Sequence, residues 1–391
     1  MGMSNKIDLY PALNFSFPRA GNEEKLINLC SRIDMSENGN AEALSLVKAE
    51  KLDWDHFLGL ATTCRVVPFA YRHLQPFDEY VPAHVKQVLR EEAGAEFARN
   101  ISALEDIRSI TELFREEGIE VLFIKGVPFM LDVYVDMGLR GFGDIDVLVK
   151  DFRKAEKVLK RKGFKPYENR GVFNSYRSQR LYTLDGKVYL DVHVDFMGRR
   201  LHNRILNIDK KRIWEGKREV NSEGVSVYTL DVPHTLLYGC MHLSIQHGFL
   251  GLIWYVDIHE FINKYGDMID WDDIRELARS YRILRPVYYC LLFTKRMLGT
   301  PVPDNVLESM EGIERKIDHK IFDKIKANNA ETDYLAELTL FDSVWDTVKF
   351  VLLSLVVYPY LIVHFLKIFG KILGSLSPRR SRGQSKMKSE K

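Results

Sequence analysis

The sequence predicts an α+β protein, a small mixed or antiparallel sheet flanked by helices, with a helical cap before it and a helical bundle after it. Three observations carry that expectation. Apolar residues recur at helical spacing through residues 23–118 and again through 231–345. Between those stretches, Val121–Ile124 is a short branched apolar run, and Asp144-Ile145-Asp146-Val147-Leu148-Val149 alternates with the period of a strand. Further on, residues 181–184 and 188–196 flank Asp185-Gly186, a favoured two-residue hairpin turn.

Taken in order, residues 1–22 contain Pro11 and Pro18 without any period and read as a flexible leader. They lack the basic start and apolar core of a secretory signal, and Lys6 stands where a myristoylation motif wants Ser or Thr. Residues 23–118 form the N-terminal helical region, with one stripe of Leu26, Ile27, Leu29 and Cys30 and another of Phe57, Leu60, Ala61 and Cys64. Its last helix starts near Ala83 and stops at Gly118, which delivers the chain into the Val121 strand. This region is expected to cap the domain that follows, residues 119–230.

In that domain Lys125-Gly126 follows the strand directly, and Pro128 lies at a helix start, where its missing N–H costs nothing. A turn of this kind can offer backbone N–H groups, the positive end of a helix dipole and the Lys125 charge to a phosphate. Residues 151–162 form an amphipathic helix stopped by Gly163, and residues 225–230 another strand. Asp231 then caps a helix with Pro233 in its first turn. Helices at about 252–264, 272–281, 285–298 and 306–327 fill the helical domain, residues 231–345.

The acidic residues point to chemistry. Alternation puts Asp144 and Asp146 on one strand face, where two carboxylates repel unless a cation lies between them. In the second hairpin strand the same period aligns Asp191, His193 and Asp195. A carboxylate from this strand beside the first pair makes a three-acid site, which suits hard Mg²⁺ ions and phosphoryl or nucleotidyl transfer.

Lys125-Gly126, Arg140 with Asp144-Ile145-Asp146, and Leu190-Asp191-Val192-His193 resemble the signatures of the DNA polymerase β nucleotidyltransferase superfamily, and more narrowly of its uncharacterised bacterial branch. The helical continuation, Arg212-Ile213-Trp214, Leu230-Asp231, His242 and Trp254 through Asp257-Ile258, is similar to the same branch, so the likeness runs from about residue 23 to 300. The departure is Lys125-Gly126 where the superfamily usually has Gly-Gly or Gly-Ser. The resemblance implies an Mg²⁺-dependent nucleotidyltransferase, with Mn²⁺ as an alternative ion and ATP as the expected nucleotide. Asp144, Asp146 and Asp191 are then the catalytic metal ligands. Lys125, Gly126 and Arg140 bind the triphosphate. His193 or Asp195 orients Asp191 or touches the acceptor, a small molecule, sugar or protein that the sequence does not identify. The competing reading is a non-catalytic nucleotide-binding or scaffolding protein at a membrane surface.

Bulk properties narrow the rest. The net charge of +2 hides an asymmetry, because residues 367–391 hold eight Lys or Arg against one Glu; +7 sits in the tail and −5 in the rest. The body is therefore not a nucleic-acid binder by composition. Residues 350–366 carry no Lys, Arg, Asp or Glu, at the short edge of a membrane span. The apolar segment 346–374 and the basic tail 375–391 suggest attraction to anionic lipid and a cytoplasmic protein held at the inner membrane face. Cys30, Cys64, Cys240 and Cys290 have no paired spacing and read as reduced structural thiols. A metal site on His234, His242, His247, Asp257 and His259 is disfavoured, since 242 and 247 are five apart rather than the four that aligns two ligands. Arg177 and Arg180 are candidates to reach substrate phosphate, against an ordinary surface role.

Overall fold

The computed structural model describes residues 21–49, 52–134, 136–167, 179–198, 200–310 and 340–357. Four helices, α1 (Asn22–Cys30), α2 (Glu37–Lys48), α3 (Trp54–Thr63) and α4 (Val67–Leu74), precede the long α5 (Ala83–Glu116). At 34 residues, α5 runs about 50 Å at 1.5 Å per residue. Gly118 ends it in the left-handed region, φ +59°, and β1 (Val121–Ile124) begins three residues later.

Seven strands form one mixed sheet. β2 (Ile145–Val149), β3 (Lys165–Pro166), β4 (Gln179–Leu184), β5 (Val188–His193), β6 (Arg218–Ser222) and β7 (Val225–Thr229) join β1 in the order β3-β4-β5-β2-β1-β7-β6. Asp185 and Gly186 both take positive φ, 52° and 69°, in the hairpin between β4 and β5; because Leu184 pairs with Val188, Lys187 joins them in the connection, which is one residue longer than the two-residue turn expected from the dipeptide. β5 ends at His193, shorter than the alternation to Phe196 suggested. β6 is an addition; its sequence, with Arg218, Asn221 and Ser222 among five residues, does not read as a strand, yet it pairs with β7 along its whole length.

The sheet separates two apolar cores. Ile145, Val147 and Val149 of β2 and Leu190 and Val192 of β5 face the C-terminal half of α5 and helix α6 (Phe152–Arg161), contributing to a cluster that includes Ile107, Ile110, Phe114, Ala155, Val158 and Leu159. Leu122, Ile124 and Leu148 face the other way, into a core shared with α1–α4 and with four later helices. Those are α7 (Val232–Met241), α8 (Leu252–Tyr265), α9 (Trp271–Ser280) and α10 (Leu284–Leu298). The N-terminal helices therefore do more than cap the sheet: they share one core with the C-terminal bundle. Asn28 donates to the Met297 carbonyl at 2.7 Å, and the Ile33 N–H to Glu260 at 2.7 Å.

Asp231 caps α7 as expected, its carboxylate accepting from the His234 N–H at 2.9 Å. The helix opens into a wide π turn, His242–Gln246, and then Gly248, Phe249 and Gly251 all take positive φ before α8. All four cysteines are free and buried, and burial pushes the Cys30 and Cys64 thiols up to about 12, which keeps them protonated and unreactive. Helix α11 (Val344–Val357) opens the apolar segment, most of which lies outside the described residues, as do the basic tail and residues 311–339; of the helix expected at about 306–327 the described part is a short helix, Asp304–Glu308. Among the described residues no helix is long and apolar enough to cross a membrane.

A buried ion pair joins the bundle to the loop that leads into β2. Arg140 donates from Nε and Nη2 to both Asp257 oxygens, at 2.8–3.1 Å, and Tyr134 Oη donates to the same carboxylate at 2.8 Å. Asn100 on α5 holds the same loop, donating to the Met137 and Arg140 carbonyls. Removing one partner of such a pair strands the other charge in the interior. Asp257→Ala is expected to lower the unfolding free energy by about 3–5 kcal/mol in denaturant titrations. The double replacement Arg140→Met with Asp257→Leu should recover most of that loss.

His259 tests the interior in another way. Its ring nitrogens contact Thr300 Oγ1 at 2.8 Å and Asn263 Nδ2 at 3.0 Å, and burial, with the Arg32 charge second, pulls its pKa down to about 4. The unfolded chain takes up that proton near 6.5, so this group's contribution to stability is complete above pH 6.5 and lost as pH falls toward 4. Stability measured across that window should decline less steeply in His259→Gln than in the wild type.

Candidate active site

The site is built where three central strands meet. β1 runs antiparallel to β2 with Ile124 opposite Asp146, and β2 runs parallel to β5 with Asp146 beside Asp191 and Leu148 beside His193. Since alternate residues share a face, Asp146, Asp191 and His193 all turn toward the helical bundle while their apolar neighbours fill the opposite core. The result is a buried cluster: Asp146 and Asp191 are each 4 % exposed and His193 is fully buried. One potential ligand atom from each lies within 4.8 Å of the other two, the single grouping of metal-ligand type among the described residues.

Lys125 supplies the positive charge. The chain turns sharply at this residue, φ +58°, and carries the ammonium back over the strand ends, where it ion-pairs with Asp146 Oδ1 and lies 3.4 Å from His193 Nε2. His193 Nε2 is 3.1 Å from Asp146 Oδ1 and 3.4 Å from Asp191 Oδ2. Gln179, opposite His193 across the β4–β5 hairpin, donates to Asp191 Oδ2 at 2.6 Å. Burial works against the charge on Lys125 more strongly than any other single influence, but the Asp146 carboxylate first, with Asp191 adding to it, outweighs it and holds the ammonium above the ordinary lysine range. Burial and the Lys125 charge likewise oppose protonation of His193, yet the two carboxylates together raise its pKa.

Asp144 stands at the rim, half-buried, one residue before β2. Burial, and next the Asp146 charge, push its carboxyl up to about 6, with Lys125 pulling the other way. It thus shares the electrostatic field of the cluster without belonging to the tight group of three.

The remaining expected residues are distributed differently. Gly126 is buried under Phe142: a Cβ at 126 would lie 2.7 Å from the Phe142 Cβ, so only glycine fits, and the space above it is taken by that ring rather than left open. The Arg140 guanidinium is committed to Asp257 and to the Gly141 carbonyl. Asp195 leaves the cluster because β5 stops at His193; it pairs with Lys210 on the surface. Arg180 is bound to Glu156, and Arg177 lies outside the described residues. The bundle histidines have these contacts: His234 bridges Asp231 and Tyr281, His242 bonds Gln246, and His247 stacks on Trp254 with centroids 3.6 Å apart.

Two side chains tied to the cluster, Gln179 by a hydrogen bond to Asp191 and Tyr238 by its electrostatic field, carry no sequence signal. Gln179 precedes the apolar part of its strand, and only the hairpin register places it at Asp191. Tyr238 lies in the middle of a nearly all-buried helix, where apolar periodicity gives no preferred face.

As chemistry, two carboxylates and an imidazole converging from rigid strands form a mixed oxygen and nitrogen set suited to a divalent cation. The adjacent ammonium can face the anionic oxygens of a phosphorylated ligand. No curated protein and no solved structure matches the chain. A protein-family model described as "Uncharacterised nucleotidyltransferase" matches residues 50–299, a stretch that holds all seven strands and the whole cluster. The chain belongs to this family of nucleotidyltransferases, enzymes that transfer phosphorus-containing groups.

Proposed function

We propose that the protein transfers a nucleoside monophosphate from a nucleoside triphosphate, ATP in the first instance, to an acceptor hydroxyl or amine, releasing pyrophosphate. The observation that carries this reading is the convergence of Asp146, Asp191 and His193 from adjacent parallel strands, in a chain of this family. Asp146 and Asp191 would hold Mg²⁺, or Mn²⁺ in its place, with Asp144 closing the set from the rim and His193 as a ligand or as the group that orients the two carboxylates. Such an ion would polarise the α-phosphoryl group and neutralise charge on the leaving pyrophosphate.

The protein's own groups do the rest. Lys125, already poised beside Asp146, would turn its ammonium to the triphosphate. Gln179 fixes the Asp191 carboxylate, so that its orientation does not depend on what is bound. Arg140, Asp257 and Asn100 hold the segment leading to Asp144 and Asp146 from behind. A non-catalytic nucleotide-binding role is favoured by one observation, the Phe142 ring over Gly126; it predicts binding without turnover.

α-Labelled nucleoside triphosphates with Mg²⁺ decide between the two. Label transfer or pyrophosphate release by the wild type is expected to fall about a thousandfold or more in Asp146→Ala and Asp191→Ala, the scale of losing a catalytic cation. Unchanged turnover in Asp146→Ala would remove the basis of the assignment.

The membrane part of the reading rests on α11. Trp345, Val348, Leu352 and Val356 are exposed at intervals of three or four, an apolar stripe along one helix face. It continues in sequence into the uncharged run and the basic tail. Such a stripe followed by cationic residues fits the surface of an anionic bilayer. The full chain should cosediment with phosphatidylserine-containing vesicles and not with neutral ones, and Trp345→Asp with Val356→Asp should abolish that binding.

A further inference from the structure

Tyr238 is a buried phenol whose hydroxyl has no partner among the described residues. Its side chain comes from α7, with 4 % of the residue exposed, and it packs edge-on against Phe196 at 5.0 Å and parallel to the His242 ring at 6.3 Å. Its hydroxyl makes no hydrogen bond to any of the described residues. Buried tyrosine hydroxyls almost always find one. Neither ring neighbour explains why the oxygen is there, since phenylalanine would make the same two contacts.

The surroundings do. Phe196 lies three residues beyond His193, on the segment that leaves β5, so the ring it packs against brings Tyr238 to the bundle side of the carboxylate cluster. The phenol lies within electrostatic reach of Lys125, Asp146, Asp191 and Asp144; burial first, and then the carboxylates against the pull of Lys125, keep it protonated. A protonated phenol has one O–H to give. Asp146 is contacted by Lys125 and His193, and Asp191 by His193 and Gln179, while the Tyr238 hydroxyl is bonded to none of these groups.

On the nucleotidyl-transfer reading, we propose that Tyr238 is a substrate-contact residue whose hydroxyl donates to a non-bridging phosphate oxygen of the bound nucleoside triphosphate. The helical bundle then takes part in the reaction directly, by closing over the phosphates opposite the strands. Because the hydroxyl does nothing for the fold, its removal should be silent in the free protein and visible only when nucleotide is bound.

Y238F removes that one oxygen. Calorimetric titration of the full chain with each of the four ribonucleoside triphosphates and Mg²⁺ should show about ten- to a hundredfold weaker binding by Y238F, the range of a hydrogen bond to a charged group. The melting temperature without ligand should be unchanged or slightly higher. Binding that Asp146→Ala abolishes and Y238F leaves at the wild-type level overturns the Tyr238 contact and spares the nucleotidyl-transfer reading. A lower melting temperature in Y238F with unchanged binding assigns the hydroxyl to the fold and overturns it too. Absence of binding to the wild type overturns both.

Discussion

The parallel register of β2 on β5 is the constraint on which the site depends. Side chains alternate with a period of two, so one register sets both what the site contains and what the core contains. Asp146 beside Asp191 requires Val147 beside Val192, and those valines belong to the core under α5 and α6. The apolar half of each strand thus fixes the polar half. The energy that holds two carboxylates side by side comes from burial of their neighbours on the opposite face.

Two like charges brought together in an interior need compensation, and the chain supplies it. The Lys125 ammonium and a His193 whose protonation the carboxylates favour face Asp146 and Asp191. The Lys125 ammonium offsets part of the charge that the strands bring together. The left-handed turn at Lys125 is the conformational cost, of order 1 kcal/mol for a side-chain-bearing residue. Strain of that kind persists where the surroundings over-determine it, and here the ion pair with Asp146 is what holds the residue back over the strand ends.

Much of this was legible in the residues. The hairpin at Asp185-Gly186, the stop at Gly118 and the cap at Asp231 are local signals, decided within a few residues. The acidic strand and the partner strand with Asp191 and His193 were readable from alternation alone. Less readable were features set by distant chain. Arg140 sits in the motif-like run before Asp144, yet its donors are taken by Asp257, more than a hundred residues away. Asp195 has the right parity, but alternation holds only while the strand lasts, and β5 ends two residues earlier. Gly126 had the composition of an open turn; what covers it, Phe142, comes from a loop whose path depends on Asn100 and Asp257. Gln179 reaches Asp191 through the hairpin register, and Tyr238 comes within the electrostatic field of the cluster on a helix face; no local pattern specifies either.

The shared register also bears on how such a chain can vary over time. Inserting or deleting one residue inside β2 or β5 would turn Asp146 or Asp191 into the apolar layer and a valine into the site, losing fold and chemistry in one event. Changes of length can accumulate in the surface connections, whereas these two strands admit only substitution. The connections and the bundle can therefore be remodelled while this short segment of sheet is inherited at constant length.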